Sequence, residues 1–275
     1  MNVPIQTLHL FLPLDQKLIE LLKSLSSEDW KKPTVAKLWT VKDVAAHLLD
    51  GNIRVLALAQ HYQGDPPSGI NSYHDLVEYL NHLNADWVKA MKRVSPITLI
   101  ELLETTQQAV IDHYHSLDLW APARFAVSWA GEEESQNWFH IAREYTERWH
   151  HQQQIRDAVG KEGIMERNFF YPLIQTFMMA LPYTYRNTEA PDGSVISVKV
   201  TGSAGGEWRL ISQNKTWKFA TNLDDSPDAI IEMNPDTAWK LFTKALAEDL
   251  AMDKINISGD LRLGKPILKM VSVMA

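Results

Sequence analysis

The chain has 275 residues, and at about 150 residues per domain this length predicts two domains. Hydrophobic residues make up 45% of the chain and charged residues 22%, which excludes the disordered, collagen-like and coiled-coil classes. A net charge of -7, without a run of Lys and Arg, argues against nucleic acid as a partner. The chain has no cysteine, which excludes disulfides, cysteine-ligated metals and a cysteine nucleophile.

The sequence gives no sign of a secretory signal or a membrane span. Its first residues lack the positively charged region with which a signal peptide begins. The longest stretch without charge, 168–185, contains Pro172 and Pro182 and predicts a buried helix rather than a span. We therefore expect a cytoplasmic protein that binds neither membranes nor nucleic acid. The sequence leaves the oligomeric state open.

Apolar residues recur at helical spacing through most of residues 1–160. This spacing predicts helices over 13–25, 40–62, 73–93, 96–117 and 135–159. Thr40 followed three residues later by Asp43 is typical of a capping box at a helix start. Residues 121–134 predict a connecting loop. Long helices with almost no strands predict an up-and-down helical bundle as the first domain, over 1–162.

The rest of the chain changes to a mixture of strands and helices. Short runs with alternating or β-branched residues predict strands over 194–200, 207–212, 216–220, 229–233 and 255–258. Helical spacing predicts helices over 168–183, 234–246 and 265–271. The glycines at 160 and 163 mark the domain boundary. We predict a small α+β domain over 163–275, and hence a two-domain α+β protein.

The last helix of the predicted bundle carries the strongest chemical signal. Glu147 and His151 are four residues apart, so on a helix their side chains project from one face and can hold one metal ion. A third ligand must come from elsewhere. His47, in the middle of an otherwise apolar helix, is the natural candidate. His150, three residues after Glu147, fits this pattern less well.

Each of these signals also has a structural interpretation. A Glu and a His four residues apart are commonly a solvated surface pair. A lone histidine on an apolar face is commonly a hydrogen-bonded core residue. The spacing alone leaves these alternatives open, although no phosphate-binding glycine motif or serine-nucleophile elbow competes with the metal interpretation.

Two segments around these residues resemble a known family. Residues 39–48, WTVKDVAAHL, are similar to the first motif of the DinB-like helical bundles. Residues 147–160, ERWHHQQQIRDAVG, resemble the second motif of their mycothiol-dependent maleylpyruvate isomerase branch. The resemblance implies an up-and-down four-helix bundle that binds a divalent metal through His47, Glu147 and His151. Segments after residue 200 resemble sterol-carrier-protein-2-like domains, so the resemblance covers nearly the whole chain.

The resemblance also implies a function. It points to a metal-dependent enzyme that uses a low-molecular-weight thiol, as an isomerase or a thiol transferase of the maleylpyruvate isomerase type. Zinc is the expected ion, with nickel, manganese, iron and cobalt as alternatives. Because the chain has no cysteine, the thiol must be a small molecule such as mycothiol, bacillithiol or glutathione. A dicarboxylate substrate calls for a guanidinium clamp, for which Arg54 and Arg209 are candidates, although each also fits a surface residue.

Other functions fit the same sequence. In one, the metal activates water and the protein is a hydrolase. In another, the second domain holds an apolar ligand, as sterol-carrier-like domains do, and the protein has no catalytic role. A non-haem iron oxygenase also uses two histidines and a carboxylate, but its usual setting is a β-barrel, so it ranks lower. Turnover with and without thiol distinguishes the isomerase from the hydrolase.

Overall fold

The computed structural model describes residues 2–62, 64, 69–221 and 226–273. Backbone contacts divide the chain into two compact units. We call them the bundle unit, Thr7–Asp118 with Glu147–Ile164, and the sheet unit, Met1–Gln6 with Leu119–Thr146 and Met165–Ala275. Within the sheet unit, Gly131 packs so closely on Tyr183 that a Cβ atom there would lie 2.4 Å from the ring. Residues 119–146 thus group with the sheet unit, and the division of the sequence after residue 162 stays a prediction.

Helices build the bundle unit, as the sequence predicts. They are α1 Phe11–Lys23, α2 Val41–Ala59, α3 Tyr73–Met91 and α4 Pro96–Ser116, together with the part of α5 that begins at Glu147. The whole of α5 spans Asn137–Val159. The helix predicted over 40–62 ends three residues early. His61 takes a left-handed backbone conformation, with a φ of 60°, which a helix cannot continue through.

A capping box starts α2 and fixes the place of His47. The backbone N–H of Thr40 donates to Oδ2 of Asp43 at 3.0 Å, and the backbone N–H of Asp43 donates to the Thr40 hydroxyl at 3.4 Å. Lys92 adds an ion pair to Asp43 at 2.6 Å. Because the helix start is held in this way, His47 follows two turns later on regular helical backbone.

The bundle unit has an apolar core of its own. In α2, Val44, Ala45 and Leu49 are at most 1% exposed. They belong to one buried cluster with Leu22 of α1 and Leu99 of α4. Fully burying a Val or Leu side chain contributes about 1.5–3 kcal/mol to stability. We therefore expect this unit to fold without help from a metal ion.

A buried ion pair ties α5 to α1. The Arg148 guanidinium donates to both carboxylate oxygens of Asp15, each at 2.9 Å, and to Oδ1 of Asn52 at 2.6 Å. Asn52 in turn donates to the hydroxyl of Thr106 at 2.9 Å. Because Arg148 directly follows Glu147, this network fixes the rotation of α5 and therefore the direction in which Glu147 points.

The sheet unit contains a five-stranded sheet within the described residues, in the order β3-β2-β1-β4-β5. Its strands are β1 Val195–Val200, β2 Gly206–Gln213, β3 Thr216–Phe219, β4 Ala229–Met233 and β5 Asn256–Gly259. β1 runs parallel to β4, and the other neighbouring pairs are antiparallel. All five predicted strands are present, and the predicted two-domain α+β class is confirmed.

The helices of the sheet unit differ more from the prediction. Besides the N-terminal part of α5, they are α6 Arg167–Met178, α7 Leu181–Thr184, α8 Pro235–Phe242, α9 Glu248–Met252 and α10 Leu261–Gly264. The single helix predicted over 168–183 is wrong, because Pro182 has no backbone N–H to donate and stands in the first turn of a separate helix, α7. The helix predicted over 234–246 ends at Phe242, and the closing helix predicted over 265–271 is a 3-10 helix, Lys265–Lys269. None of the described helices is long and apolar enough to cross a membrane.

Candidate metal centre

Glu147 and two histidines form a close cluster on α5. Helical geometry puts Glu147 and His151 on one face, one turn apart. Nε2 of His151 lies 3.6 Å from Oε2 of Glu147, and these side chains are 10% and 27% exposed. In the part of the chain that the structure describes, Glu147, His150 and His151 form the group of three whose ligand atoms all lie within 4.8 Å of one another. The structure thus brings the predicted pair together.

His150 belongs to this cluster, although the sequence pattern favours His151 over it. Nε2 of His150 lies 3.0 Å from Oε2 of Glu147, which is a hydrogen-bond distance. The ring centroids of His150 and His151 are 3.9 Å apart. His150 therefore binds the same carboxylate oxygen that His151 faces.

His47 meets the cluster from α2. Its ring packs edge-on against that of His151, with the centroids 4.6 Å apart, and lies 4.8 Å from the ring of Trp39. Its Nδ1 atom is buried and has no hydrogen-bond partner among the described residues. A buried polar atom without a partner is unfavourable, so this position favours an additional ligand. His47 thus contacts His151 but is not part of the closer group of three.

Gln154 is a site residue that the sequence analysis missed. Its Oε1 lies 3.0 Å from Nδ1 of His151, and its Nε2 lies 3.5 Å from Nδ1 of His150. It follows the two histidines by three and four residues, and this helical spacing is the signal that would have identified it. Trp39, which entered the sequence analysis only as part of a motif, packs on His47.

The charges of the cluster suit a metal cation. Burial raises the pKa of Glu147, but the hydrogen bond from His150 and the electrostatic interactions with His150 and His151 outweigh burial and hold this pKa well below its usual value. Burial lowers the pKa of His47 well below its usual value, and the charges of His151 and Arg54 act in the same direction. Burial also lowers the pKa of His150, to about 4. At neutral pH the site therefore presents an ionised carboxylate and neutral imidazoles at His47 and His150, the forms in which such groups bind metals.

Comparison with known families identifies the bundle. The family model of the mycothiol maleylpyruvate isomerase N-terminal domain matches residues 11–156, which is more than half of the chain. This chain belongs to that family. The SCP-2 sterol transfer family matches residues 183–270, the part that contains the sheet. The two matches confirm the resemblance seen in the motifs. No curated protein matches the chain by sequence.

The isomerase family fold extends over nearly the whole chain. This chain is similar in structure to a crystal structure of the mycothiol-dependent maleylpyruvate isomerase, with a TM-score of 0.55 and 10% sequence identity. The alignment covers 92% of each of the two chains. A crystal structure of a histidine-to-alanine mutant of a mycothiol-dependent maleylpyruvate isomerase gives the same coverage and TM-score at 9% identity. At this identity the likeness shows the fold alone.

Arg54 is one candidate for binding a substrate carboxylate in this member of the isomerase family. It lies on α2, two turns after His47. Its Nε lies 3.3 Å from Oδ2 of Asp50, and its side chain is 45% exposed. Its positive charge helps to lower the pKa of His47, so the guanidinium acts on the same site. Arg54 thus influences His47 electrostatically, and its role in binding substrate stays a prediction.

Arg209, the other candidate, lies on β2 in the sheet unit. Its Nε donates to Oε1 of Glu207 at 2.5 Å. Ser197, its neighbour across the β1–β2 pair, donates to the same oxygen at 2.8 Å. Glu207 therefore neutralises the guanidinium, and a substrate carboxylate would have to compete with it. A role for Arg209 in binding substrate also stays a prediction.

Proposed function

We propose that the bundle unit binds one divalent metal ion, with zinc expected, through His47, Glu147 and His151. The observation that carries the proposal is the 3.6 Å separation between Nε2 of His151 and Oε2 of Glu147. Two ligand atoms that each lie about 2.1 Å from one tetrahedral ion are about 3.4 Å apart. The buried Nδ1 of His47, which lacks a partner in the described part of the chain, supports a third ligand beside His151.

The donor set suits zinc and similar ions. Two imidazoles and one carboxylate are a ligand set that zinc takes in catalytic sites that keep an open position. Nickel, manganese, iron and cobalt bind the same donor types. A divalent ion held by one carboxylate keeps a net positive charge, and it supplies a Lewis acid that stabilises the deprotonated form of a thiol or a water molecule.

We further propose that the site serves thiol-dependent chemistry. The family to which the chain belongs is named for a mycothiol maleylpyruvate isomerase. Because the chain contains no cysteine, the sulfur must come from a small thiol. Mycothiol is the first thiol to test, and bacillithiol and glutathione are the alternatives.

The proposed reaction isomerises a carbon–carbon double bond conjugated to a carbonyl group. The thiolate sulfur bonds to the alkene carbon farther from the carbonyl, and the π electrons move to the carbonyl oxygen. The former double bond, now single, rotates. The electrons then return, the carbon–sulfur bond breaks and the thiolate leaves, so no thiol is consumed. A thiol transferase would instead protonate the adduct and release it.

Residues of this chain hold the reacting groups in place. His150 donates to Glu147 and keeps its carboxylate oriented. Trp39 packs on His47 and restricts the movement of that ring. Arg54 offers a partly exposed guanidinium that can bind a substrate carboxylate through two hydrogen bonds.

Metal analysis followed by a turnover assay tests the proposal. The purified protein should contain about one equivalent of divalent metal, the stoichiometry of a single zinc site. Isomerisation of maleylpyruvate should require both the metal and mycothiol. If the protein instead hydrolyses an ester in a metal-dependent reaction that needs no thiol, the hydrolase proposal would replace the isomerase proposal. Protein that takes up no divalent ion after removal of chelators would overturn the metal site.

The match to the SCP-2 sterol transfer family favours a second function for the sheet unit. We propose that residues 183–270, which carry this match, bind an apolar ligand. Mass spectrometry of an organic extract of natively purified protein should then show a lipid at a stoichiometric level. An extract free of lipid, together with no uptake of a fluorescent fatty acid, would argue against this function.

A further inference from the structure

Gln154 contacts both histidines of the α5 cluster, one through the accepting end of its amide and the other through the donating end. Its carbonyl oxygen, which can only accept, lies 3.0 Å from Nδ1 of His151. Its amide nitrogen, which can only donate, lies 3.5 Å from Nδ1 of His150. The side chain is 5% exposed, so water competes little for these contacts. One amide therefore faces the same atom of two adjacent imidazoles with an acceptor and a donor.

For His151, this contact decides which nitrogen carries the proton. Since Oε1 of Gln154 accepts, Nδ1 of His151 must donate, and whenever the ring carries a single hydrogen this contact places it on Nδ1. Nε2 of His151 is then left with a lone pair. That lone pair is on the atom that lies 3.6 Å from Glu147, where a metal ligand is needed.

For His150, the same amide favours the opposite tautomer. Nδ1 of His150 accepts from Gln154, although at 3.5 Å this contact is weak. The proton is then on Nε2, which donates to Oε2 of Glu147 at 3.0 Å. The carboxylate and the amide thus agree on the tautomer. His150 becomes a donor that holds Glu147 and has no lone pair free to compete with His151 for an ion.

We propose that Gln154 is a positioning residue that gives His151 and His150 opposite tautomers, so that His151 binds the metal and His150 orients Glu147. The part that concerns metal binding rests on the proposed function, and the part that concerns tautomers does not. Metal ligands commonly depend on a hydrogen bond to the second ring nitrogen, and losing that partner weakens metal binding by about 10–100-fold.

The test measures tautomers in metal-free protein by ¹⁵N NMR of labelled histidine rings. In the wild-type protein, Nδ1 of His151 and Nε2 of His150 should carry the protons. Gln154→Met keeps the length of the side chain and removes both polar groups, so His151 should populate both tautomers. Gln153→Met is the matched control, because Gln153 is an adjacent buried amide whose Oε1 has no partner among the described residues. This control should leave both tautomers unchanged.

A second variant separates the two contacts. Gln154→Glu keeps an acceptor for Nδ1 of His151 but offers no donor to His150 when ionised. The tautomer of His151 should therefore persist, whereas His150 should lose part of its preference. This result also keeps the test decisive if Gln154→Met fails to fold, which a thermal melt followed by circular dichroism would reveal.

Metal affinity, measured by competition with a chromophoric chelator, completes the test. Gln154→Met should weaken binding by about 10–100-fold, and Gln153→Met by less than about 3-fold. Unchanged tautomers in both Gln154 variants, or wild-type affinity in Gln154→Met, would overturn the proposal. Wild-type protein that binds no metal would refute the proposed function, and the NMR comparison would still decide the role of Gln154.

Discussion

Nε2 of His151 lies 3.6 Å from Oε2 of Glu147, a separation that suits two ligands of one metal ion better than a hydrogen bond. His150 reaches the same oxygen at 3.0 Å, as a hydrogen-bond donor does. The two adjacent histidines thus meet one carboxylate in two different ways. This difference supports the different roles that we propose for them, which the helical spacing of the sequence does not distinguish.

Replacing His47 by alanine should abolish metal binding and leave the fold intact. The substitution removes the proposed ligand from α2, whereas the apolar cluster around Val44 and Leu49 stays complete. We expect metal content below about one tenth of an equivalent, because two remaining protein ligands hold zinc poorly. The variant should still melt cooperatively, as measured by circular dichroism.

His115→Ala is the control for this variant. His115 is an exposed histidine of α4, and its loss should change neither metal content nor the melt. If wild-type protein stripped of metal loses its helical signal, the site is structural and the enzyme proposal weakens. Full metal content in His47→Ala would assign the third ligand elsewhere.

Glu147→Gln should weaken metal binding strongly, because it alters a proposed ligand itself. Loss of a residue that only hydrogen-bonds to a ligand weakens binding by about 10–100-fold, and we expect a larger loss here. The substitution removes the only negative charge of the proposed ligand set, and a neutral amide oxygen is a poorer ligand than a carboxylate. Any metal that remains should be more electrophilic. Activity must therefore be expressed per bound metal ion. The exposed Glu101→Gln on α4 serves as the charge-matched control, and equal affinities in the two variants would contradict a ligand role for Glu147.

The fold was predictable where local signals are strong. The helices of the bundle were predicted to within a few residues. The signals that predicted them are the capping box of Thr40 and Asp43 and the long apolar periodicity of the first half of the chain. Prediction failed where short helices depend on their surroundings. The short helix α9 rests on tertiary packing, because a helix of five residues is not stable by propensity alone. The break between α6 and α7, by contrast, lies at Pro182, which is a local signal.

The candidate site was predictable in part. The four-residue spacing of Glu147 and His151 is a local property of a helix, and the structure brings these residues together. The role of His150 was not predictable, because spacing says nothing about which ring nitrogen faces a neighbour. The pairing of Arg209 with Glu207 was visible in principle, since residues two apart on a strand share a face.

Arg54→Met should raise the KM for a dicarboxylate substrate and leave metal content unchanged. A hydrogen bond to a charged group contributes about 1.5–3 kcal/mol, so its loss raises KM by about 10–100-fold. If the clamp acts equally in the bound substrate and the transition state, kcat should change little. Arg93→Met, which removes an exposed arginine of the same unit, is the control. An unchanged KM in Arg54→Met would remove Arg54 from the substrate site.

Cobalt substitution should show whether a small thiol binds at the metal. Sulfur ligation to Co²⁺ adds an intense charge-transfer band, and no cysteine of the chain can produce it, because there is none. A cation stabilises thiolate, so binding releases a proton. For a free thiol with a pKa of about 8.5, the apparent affinity for the metal should rise about tenfold per pH unit below that value and level off above it.

The same thiol blocked by S-methylation should give no charge-transfer band, and His47→Ala should give none with the free thiol. If mycothiol, bacillithiol and glutathione all leave the cobalt spectrum unchanged from about pH 6 to about pH 9, a range that spans this rise, the thiol proposal fails. Metal-activated water would then be the better explanation of the site.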